Sequence, residues 1–531
     1  MVSQSDEENS LTPVNNYQEA DFRLLSSGCD IRPLPPMHFP IAADHCFMAK
    51  GLSRKVRGAV ATLCRVFRSA MFRTPFDPQP IVSVEVNTLT MVSGSSGSGK
   101  KAQIVTPMLT LIDEPMVYID PQREAEEDVP LRAALGRYVY VFDPRRRDSA
   151  SVNVLAGLLI DQPDFLEIIE LIVDDLCPEG GAEARTEEGI KYTRRALRVA
   201  IANEAQLSFI EGRPPSLVEV GEALGTDRIV ESMRAWADFG HRDFRRQAED
   251  FHFDFNNDPE VRGGVASFIQ RDLSWLSDQN SARLVTGETG DVADPRDMLG
   301  DRIKCDWFLQ PGENLDASAS LWRILLGTVR RERRKLTKAQ ARSIGTPTWF
   351  IVDEFPRVAG AGAKTFDALV VTDRQKLCLP VYIYQHDKQI AKAFGEGTLK
   401  YWRDSASLRI SLTPDPETAR EIAAECGKVY HCEMNYSGEG DGVRAHAQRQ
   451  WTPIDAVSEN VLASMKMGDV VCRYASPHKE RFTIVDTGPL FFKMPLFKSY
   501  VEACMRKYPF PFKAAYYDKS EIESFGQLEE K

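Results

Sequence analysis

The chain is 531 residues long, enough for more than one domain around a full-sized core, and its 43% hydrophobic and 27% charged content is that of a globular protein. A formal net charge of −11 argues against a surface that coats nucleic acid along its whole length, while leaving room for a local basic channel. The ten cysteines form no CxxC pair and no window holds about 18 uninterrupted apolar residues, so neither a zinc site nor a membrane-spanning helix is expected.

Met1–Asn9 is polar and acidic, unlike a signal peptide. Residues 1–80 read as an N-terminal extended and helical segment. Pro33, Pro35, Pro36 and Pro40 keep the chain extended, and an amphipathic helix is expected near 52–72, where Arg65 and Arg68 interrupt the apolar stretch Gly58–Met71. β-like runs follow at Ile81–Val86, Leu89–Val92, Met116–Ile119 and Tyr138–Phe142, with a helix over Lys100–Leu111. Strand, Gly-rich loop, helix and strand form the start of a βαβ fold, so a mostly parallel sheet is the expected core.

From about 160 to 280 the spacing turns helical. Phe165–Leu176, Glu187–Asn203, Ser216–Leu224, Ile229–Trp236 and Val265–Leu276 carry it, with Ser216 as an N-cap. The reading is an all-α domain at 159–285, inserted between two parts, 81–158 and 286–486, of one α/β domain. The β signal returns at Cys305–Leu309, and a helix is expected from about Ala317 to Lys335. Thr348–Val352, Val381–Tyr384 and Leu408–Leu412 are apolar enough for buried parallel strands. Gly438–Gly442 reads as an exposed loop and 487–531 as a C-terminal tail.

Two motifs carry chemistry. The first is Gly94-Ser95-Ser96-Gly97-Ser98-Gly99-Lys100, which fits G-x-x-x-x-G-K. Triphosphate oxygens need backbone N–H groups converging from one side, which only small residues allow, and Lys100 adds a charge for the β- and γ-phosphates. The bland alternative is a Gly/Ser linker that ends in lysine. Lys101 follows where a hydroxyl for Mg²⁺ is expected, and a protonated amine cannot ligate a metal. This departure touches hydrolysis more than nucleotide binding. The second motif is Trp349-Phe-Ile-Val-Asp353-Glu354, a buried strand ending in two carboxylates. Asp353 suits Mg²⁺ and Glu354 suits a general base for the attacking water. Together the motifs describe a P-loop ATPase.

Further fragments fall in a familiar order. Ile104-Val-Thr-Pro107, Val117-Tyr-Ile-Asp-Pro121 with Glu124, Tyr140-Val-Phe-Asp-Pro144 with Asn153, Val352-Asp-Glu-Phe355, Arg374, Pro380-Val-Tyr-Ile-Tyr-Gln385, Gly395, Glu417-Thr-Ala419 with Gly427, and Gln448–Asp469 succeed one another. In this order the sequence resembles the TraG/TraD-like coupling proteins of type IV secretion and conjugation, within the HerA/FtsK group of ring motors. The resemblance covers about 81–485 and is weakest in the helical insert. Gln122, Arg123 and Val154 depart from the family pattern, and the membrane helices with which typical members begin are not expected in this sequence.

The resemblance implies a RecA-like P-loop fold and a homo-hexamer with ATP and Mg²⁺ between subunits. It implies single-stranded DNA or a relaxosome as partner, together with components of a secretion channel. Location would be cytoplasmic, or peripheral at the inner face of the inner membrane. Gln385 would sense the γ-phosphate. Arg374 would serve a neighbouring subunit as an arginine finger, with a surface salt bridge as the alternative.

The basic runs Arg145–Arg147 and Arg330–Lys335 read either as lining of a DNA path or as solvated surface. Apart from Glu124, the acidic cluster Glu124–Asp128 reads as solvated, and His386 as a structural histidine. Two other functions stay open. One is a nucleotide-binding receptor that recruits protein substrates without translocation. The other is a HerA/FtsK-like DNA motor unrelated to secretion.

Overall fold

The structure, a computed structural model, describes residues 38–43 and 81–486, apart from 180–186, 226–227, 289, 301, 312–314, 316–317, 360–363, 438–445, 456, 467–468 and 476–480. The helix expected near 52–72, the loop at Gly438–Gly442 and the tail from 487 lie outside these residues. Among the described residues no helix is long and apolar enough to cross a membrane.

The apolar runs become strands: β1 (Thr90–Gly94), β2 (Met116–Ile119), β3 (Tyr138–Phe142), β4 (Cys305–Leu309), β5 (Thr348–Val352), β6 (Cys378–Tyr384) and β7 (Leu408–Leu412). Two more, β8 (Val470–Ala475) and β9 (Arg481–Asp486), form a hairpin at the edge. The sheet order is β9-β8-β7-β1-β6-β5-β2-β4-β3. The first seven strands run parallel and the hairpin joins β7 antiparallel. Ile81–Glu85 is a strand as expected but pairs antiparallel with His38–Ala43, in a two-stranded sheet apart from the main one. Lys428–Ser437 and His446–Asp455 form another, ten residues a side.

Helices cover both faces. In chain order they include α1 (Lys101–Leu111, opening with a π-helical turn over Lys101–Val105), α2 (Ala125–Ala134), α3 (Phe165–Leu176), α4 (Glu187–Glu211), α5 (Leu217–Ala223), α6 (Ile229–Phe239), α7 (Arg245–Asn257), α8 (Pro259–Asp272), α9 (Ala319–Lys335) and α10 (Lys364–Val371). Strand alternation sorts the core. Trp349, Ile351, Leu379, Val381 and Ile383 face Ile104, Val105, Met108 and Leu109 of α1 and Val129 and Leu131 of α2. Phe350, Val352, Cys378, Tyr382 and Tyr384 face the other way, into a core that continues without a break into α3, α4, α8 and α9. The helical stretch therefore shares its hydrophobic interior with one face of the sheet.

The basic residues of the Arg330–Lys335 run are surface only at Arg334 and Lys335, which are partly exposed. Arg330, Arg331 and Arg333 are buried inside α9's packing. Arg330 pairs with Asp373, Arg331 donates to Asp175 at 2.8 Å, and Arg333 donates to Thr348 Oγ1 at 2.8 Å. On the opposite face Asp306 of β4 accepts from Arg132 and Arg137, each at 2.9 Å, with all three side chains essentially inaccessible. These arginines are structural, tying helices to one another, to the turn before β6 and to the sheet through buried ion pairs and, at Arg333, a hydrogen bond to a neutral hydroxyl.

Candidate nucleotide site

Parallel strands bring their C-terminal ends to one edge, and this edge collects the predicted groups. Ile383 stands beside Val92 and Tyr382 beside Val352. The loop after β1, Gln385 after β6 and Asp353 after β5 therefore emerge side by side. The strand order matters: β6 lies between the P-loop strand and the strand that carries Asp353 and Glu354.

The loop Gly94–Lys100 turns tightly into α1. Gly97 and Gly99 take φ of +75° and +91°, in the left-handed region that glycine enters without penalty. Gln103 N–H donates to the Gly99 carbonyl at 2.8 Å and closes the first helical turn. Lys100 Nζ curls back over the loop, donating to the carbonyls of Gly94 at 2.7 Å and Ser95 at 3.1 Å. Burial lowers its pKa, against the opposing pull of Asp353 and Glu354.

Asp353 and Glu354 are half-buried. Burial pushes the Asp353 carboxyl up to about 7 and the Glu354 charge adds to this, while the Glu354 amide, donating to Oδ1 at 2.8 Å, and Lys100 hold it down. Glu354 adopts φ of +48°, an uncommon posture for a residue with a side chain. The next residue fixes that turn. Phe355 is fully buried and stacks on Tyr382 with centroids 4.0 Å apart, packed by Phe366, Phe394 and Trp402. Gln385 Nε2 donates to both Glu354 oxygens, at 3.1 and 3.3 Å.

Lys101 points away from this group. Its ammonium meets Glu124, lies 3.3 Å from Asp128 and 3.6 Å from Glu127. Sequence reasoning took this acidic cluster for solvated surface, yet Asp128 is buried, and burial holds its pKa well above the usual range. Glu124 and Asp128 are one helical turn apart, a spacing that brings both to one cation. Asp120, also unanticipated, is buried at the end of β2. It accepts from Gln122 N at 3.0 Å, from Glu124 N, and from Gln310 Nε2 at 3.1 Å. Burial pushes its carboxyl up to about 6.

Arg374 is not brought to the site. It is exposed in the turn before β6, at the far end of the strand from Gln385. His386 is half exposed beside Gln385, with Nδ1 3.6 Å from Asp415. Gln389 Oε1 accepts from the amides of Gln385 at 3.2 Å and His386 at 3.4 Å, which anchors the end of β6. For a divalent cation the donor set fits at Asp353, a carboxylate short of compensating charge beside the P-loop. It does not fit at position 101, whose amine is committed to carboxylates.

The family described as Type IV secretory system Conjugative DNA transfer matches residues 62–438. The chain belongs to this family. Among curated relatives, the conjugal transfer protein TraG of Rhizobium radiobacter is 23% identical over 396 residues, covering 67% of this chain and 55% of that protein. TraG of Agrobacterium fabrum (strain C58 / ATCC 33970) is 21% identical over 393 residues, covering 67% and 53%. The chain spans about half the length of the curated relatives it matches. Among solved structures, the bacterial conjugative coupling protein TrwBdeltaN70 aligns with a TM-score of 0.52 at 16% identity, covering 78% of this chain and 88% of that one. Plasmid coupling protein TrwB in complex with ADP and Mg²⁺ aligns with a TM-score of 0.51 at 16% identity, covering 77% and 87%. At this identity the likeness establishes the fold, which is the RecA-like P-loop fold with a mostly parallel central sheet.

Proposed function

We propose that this chain is an ATP-driven coupling protein that delivers single-stranded DNA or nucleoprotein to a type IV secretion or conjugation channel. The observation that carries the reading is the meeting of Lys100, Asp353, Glu354 and Gln385 at one edge of the sheet, on a P-loop, in a member of the conjugative DNA transfer family. In this reading the loop amides of Gly94–Lys101 bind the phosphates and Lys100 leaves its carbonyl partners for the β- and γ-phosphates. Asp353 would hold Mg²⁺, which would supply positive charge to neutralise the phosphates. Glu354 accepts the proton of the attacking water, and Gln385 contacts the γ-phosphate. Arg374 serves a neighbouring subunit of a homo-hexamer, consistent with its exposure at the far end of β6.

The same reading assigns 81–158 and 286–486 to the motor, 159–285 to an inserted helical domain, and 1–80 and 487–531 to flanking segments. The protein then works in the cytoplasm or at the inner face of the inner membrane, beside the relaxosome and channel components. The test is ATP hydrolysis with and without single-stranded DNA. Lys100→Ala should abolish nucleotide binding. Glu354→Gln should keep binding and lower turnover by about 100-fold or more. DNA-independent turnover that survives both substitutions would refute it.

One observation favours a second reading, a nucleotide-binding receptor that recruits protein without translocation: Lys101 replaces the metal-ligating hydroxyl and is held by Glu124 and Asp128. Tight ATP binding with no turnover under any DNA condition would select it.

A further inference from the structure

The hydrogen bonds between Gln385 and Glu354 have a consequence for the order of events at this site. Both candidate groups are spent on each other. The Gln385 amide is turned onto the two carboxylate oxygens, and the carboxylate that would take a proton from water is occupied. The contact is supported on both sides. Glu354 is held in its left-handed conformation by its own N–H on Asp353 Oδ1 and by the buried ring of Phe355 beside it. Gln385 is held by Gln389, whose carbonyl oxygen accepts from the backbone of residues 385 and 386. Two side chains on neighbouring strands are thus fixed so that one donor faces one charged acceptor. Hydrogen bonds to ionised groups are the strong ones, and a γ-phosphate is the competing anion nearest in chemistry.

We propose that Gln385 is a latch on Glu354: it restrains the carboxylate while the site lacks a γ-phosphate and releases it when a triphosphate takes the amide. This rests on the nucleotide-site reading above. A diphosphate offers no γ-oxygen, so it leaves the latch closed. The water-activating group is then free only when there is a bond to break. Gln385 thus positions Glu354 while the latch is closed and contacts the γ-phosphate once it opens.

The latch makes the two side chains thermodynamically coupled in triphosphate binding and uncoupled in diphosphate binding. Isothermal titration calorimetry with a non-hydrolysable ATP analogue and with ADP, both with Mg²⁺, measures this on wild type, Glu354→Ala, Gln385→Ala and the double variant. Removing Glu354 also removes a negative charge near the phosphates, and that effect persists whether or not Gln385 is present. The latch adds a part that needs Gln385. Glu354→Ala should therefore tighten analogue binding at least about threefold more in the wild-type background than in Gln385→Ala, with no such difference for ADP. Gln385→Asn, which keeps an amide on a shorter arm, runs the same cycle if Gln385→Ala fails to fold. Equal effects of Glu354→Ala in both backgrounds overturn the latch and leave the nucleotide site standing. Failure of the folded wild type to bind the analogue overturns both.

Discussion

Replacing Lys101 with serine restores the hydroxyl expected after a P-loop lysine, yet the structure says that this should destabilise the protein. Lys101 is the cation for Asp128, whose side chain is 1% exposed and whose Oδ1 lies 3.3 Å from Lys101 Nζ. Removing one member of a buried pair costs about 3–5 kcal/mol. Lys101 is a quarter exposed, so the low end, about 3 kcal/mol, is expected at pH 7.5. The sign with pH follows from Asp128. Its folded pKa is raised above 3.8, so the folded state binds the extra proton and stability falls as pH rises. Loss of Lys101 raises that pKa further, and the penalty should shrink toward pH 5 as the carboxyl protonates. Urea titrations followed by tryptophan fluorescence at both values measure it, and Lys101→Ser/Asp128→Asn should recover most of the loss. A Lys101→Ser protein as stable as wild type at pH 7.5, or one whose deficit is the same at pH 5, would refute the reasoning.

Other perturbations have equally definite outcomes. Asp353→Asn should raise the urea midpoint of the nucleotide-free protein at pH 8 and lose that advantage by pH 5. A carboxyl held at about 7 costs stability above its unfolded pKa and stops costing it once protonated. Asp306→Ala leaves Arg132 buried without its anion and Arg137 with only Asp113, and should cost about 3–5 kcal/mol, read by urea denaturation. Phe355→Ala opens a cavity between Tyr382, Phe366 and Trp402; a stability loss of about 3–5 kcal/mol is expected, together with reduced turnover because the Glu354 turn loses its anchor. Arg374→Ala should leave nucleotide affinity unchanged and lower turnover at least about tenfold in assembled protein. Mixing it with Lys100→Ala subunits should restore part of the activity, and no restoration would argue against a role across an interface.

The buried strands were legible because they are apolar on both faces. Thr348–Val352 and Cys305–Leu309 need no alternation to be recognised, since helices cover them from both sides. The β8–β9 hairpin was not read, because Arg473 interrupts the short apolar run there. The phosphate loop and the acidic strand end were legible as motifs. The fate of Lys101 was not, because sequence reveals a missing hydroxyl but not where the ammonium goes instead. Burial of Arg330, Arg331 and Arg333 was hidden for a related reason: their partners Asp373, Asp175 and Thr348 come from other segments of the chain. A cluster of arginines looks like surface until the anions that neutralise it are brought alongside.

Asp175 gives the fold a mechanical property. From the last turn of α3 it takes Arg331 of α9 and Thr365 of α10, and it presses so closely on Gly327 that any side chain there would collide with its carboxylate. One turn away, Arg330 grips Asp373, the residue before Arg374. Arg194 of α4 in turn holds Asp174 at 2.6 Å. A chain of ion pairs therefore ties α4, a rod of about 37 Å for its 25 residues, through α3 and α9 to the base of β6. The far end of that short strand carries Gln385.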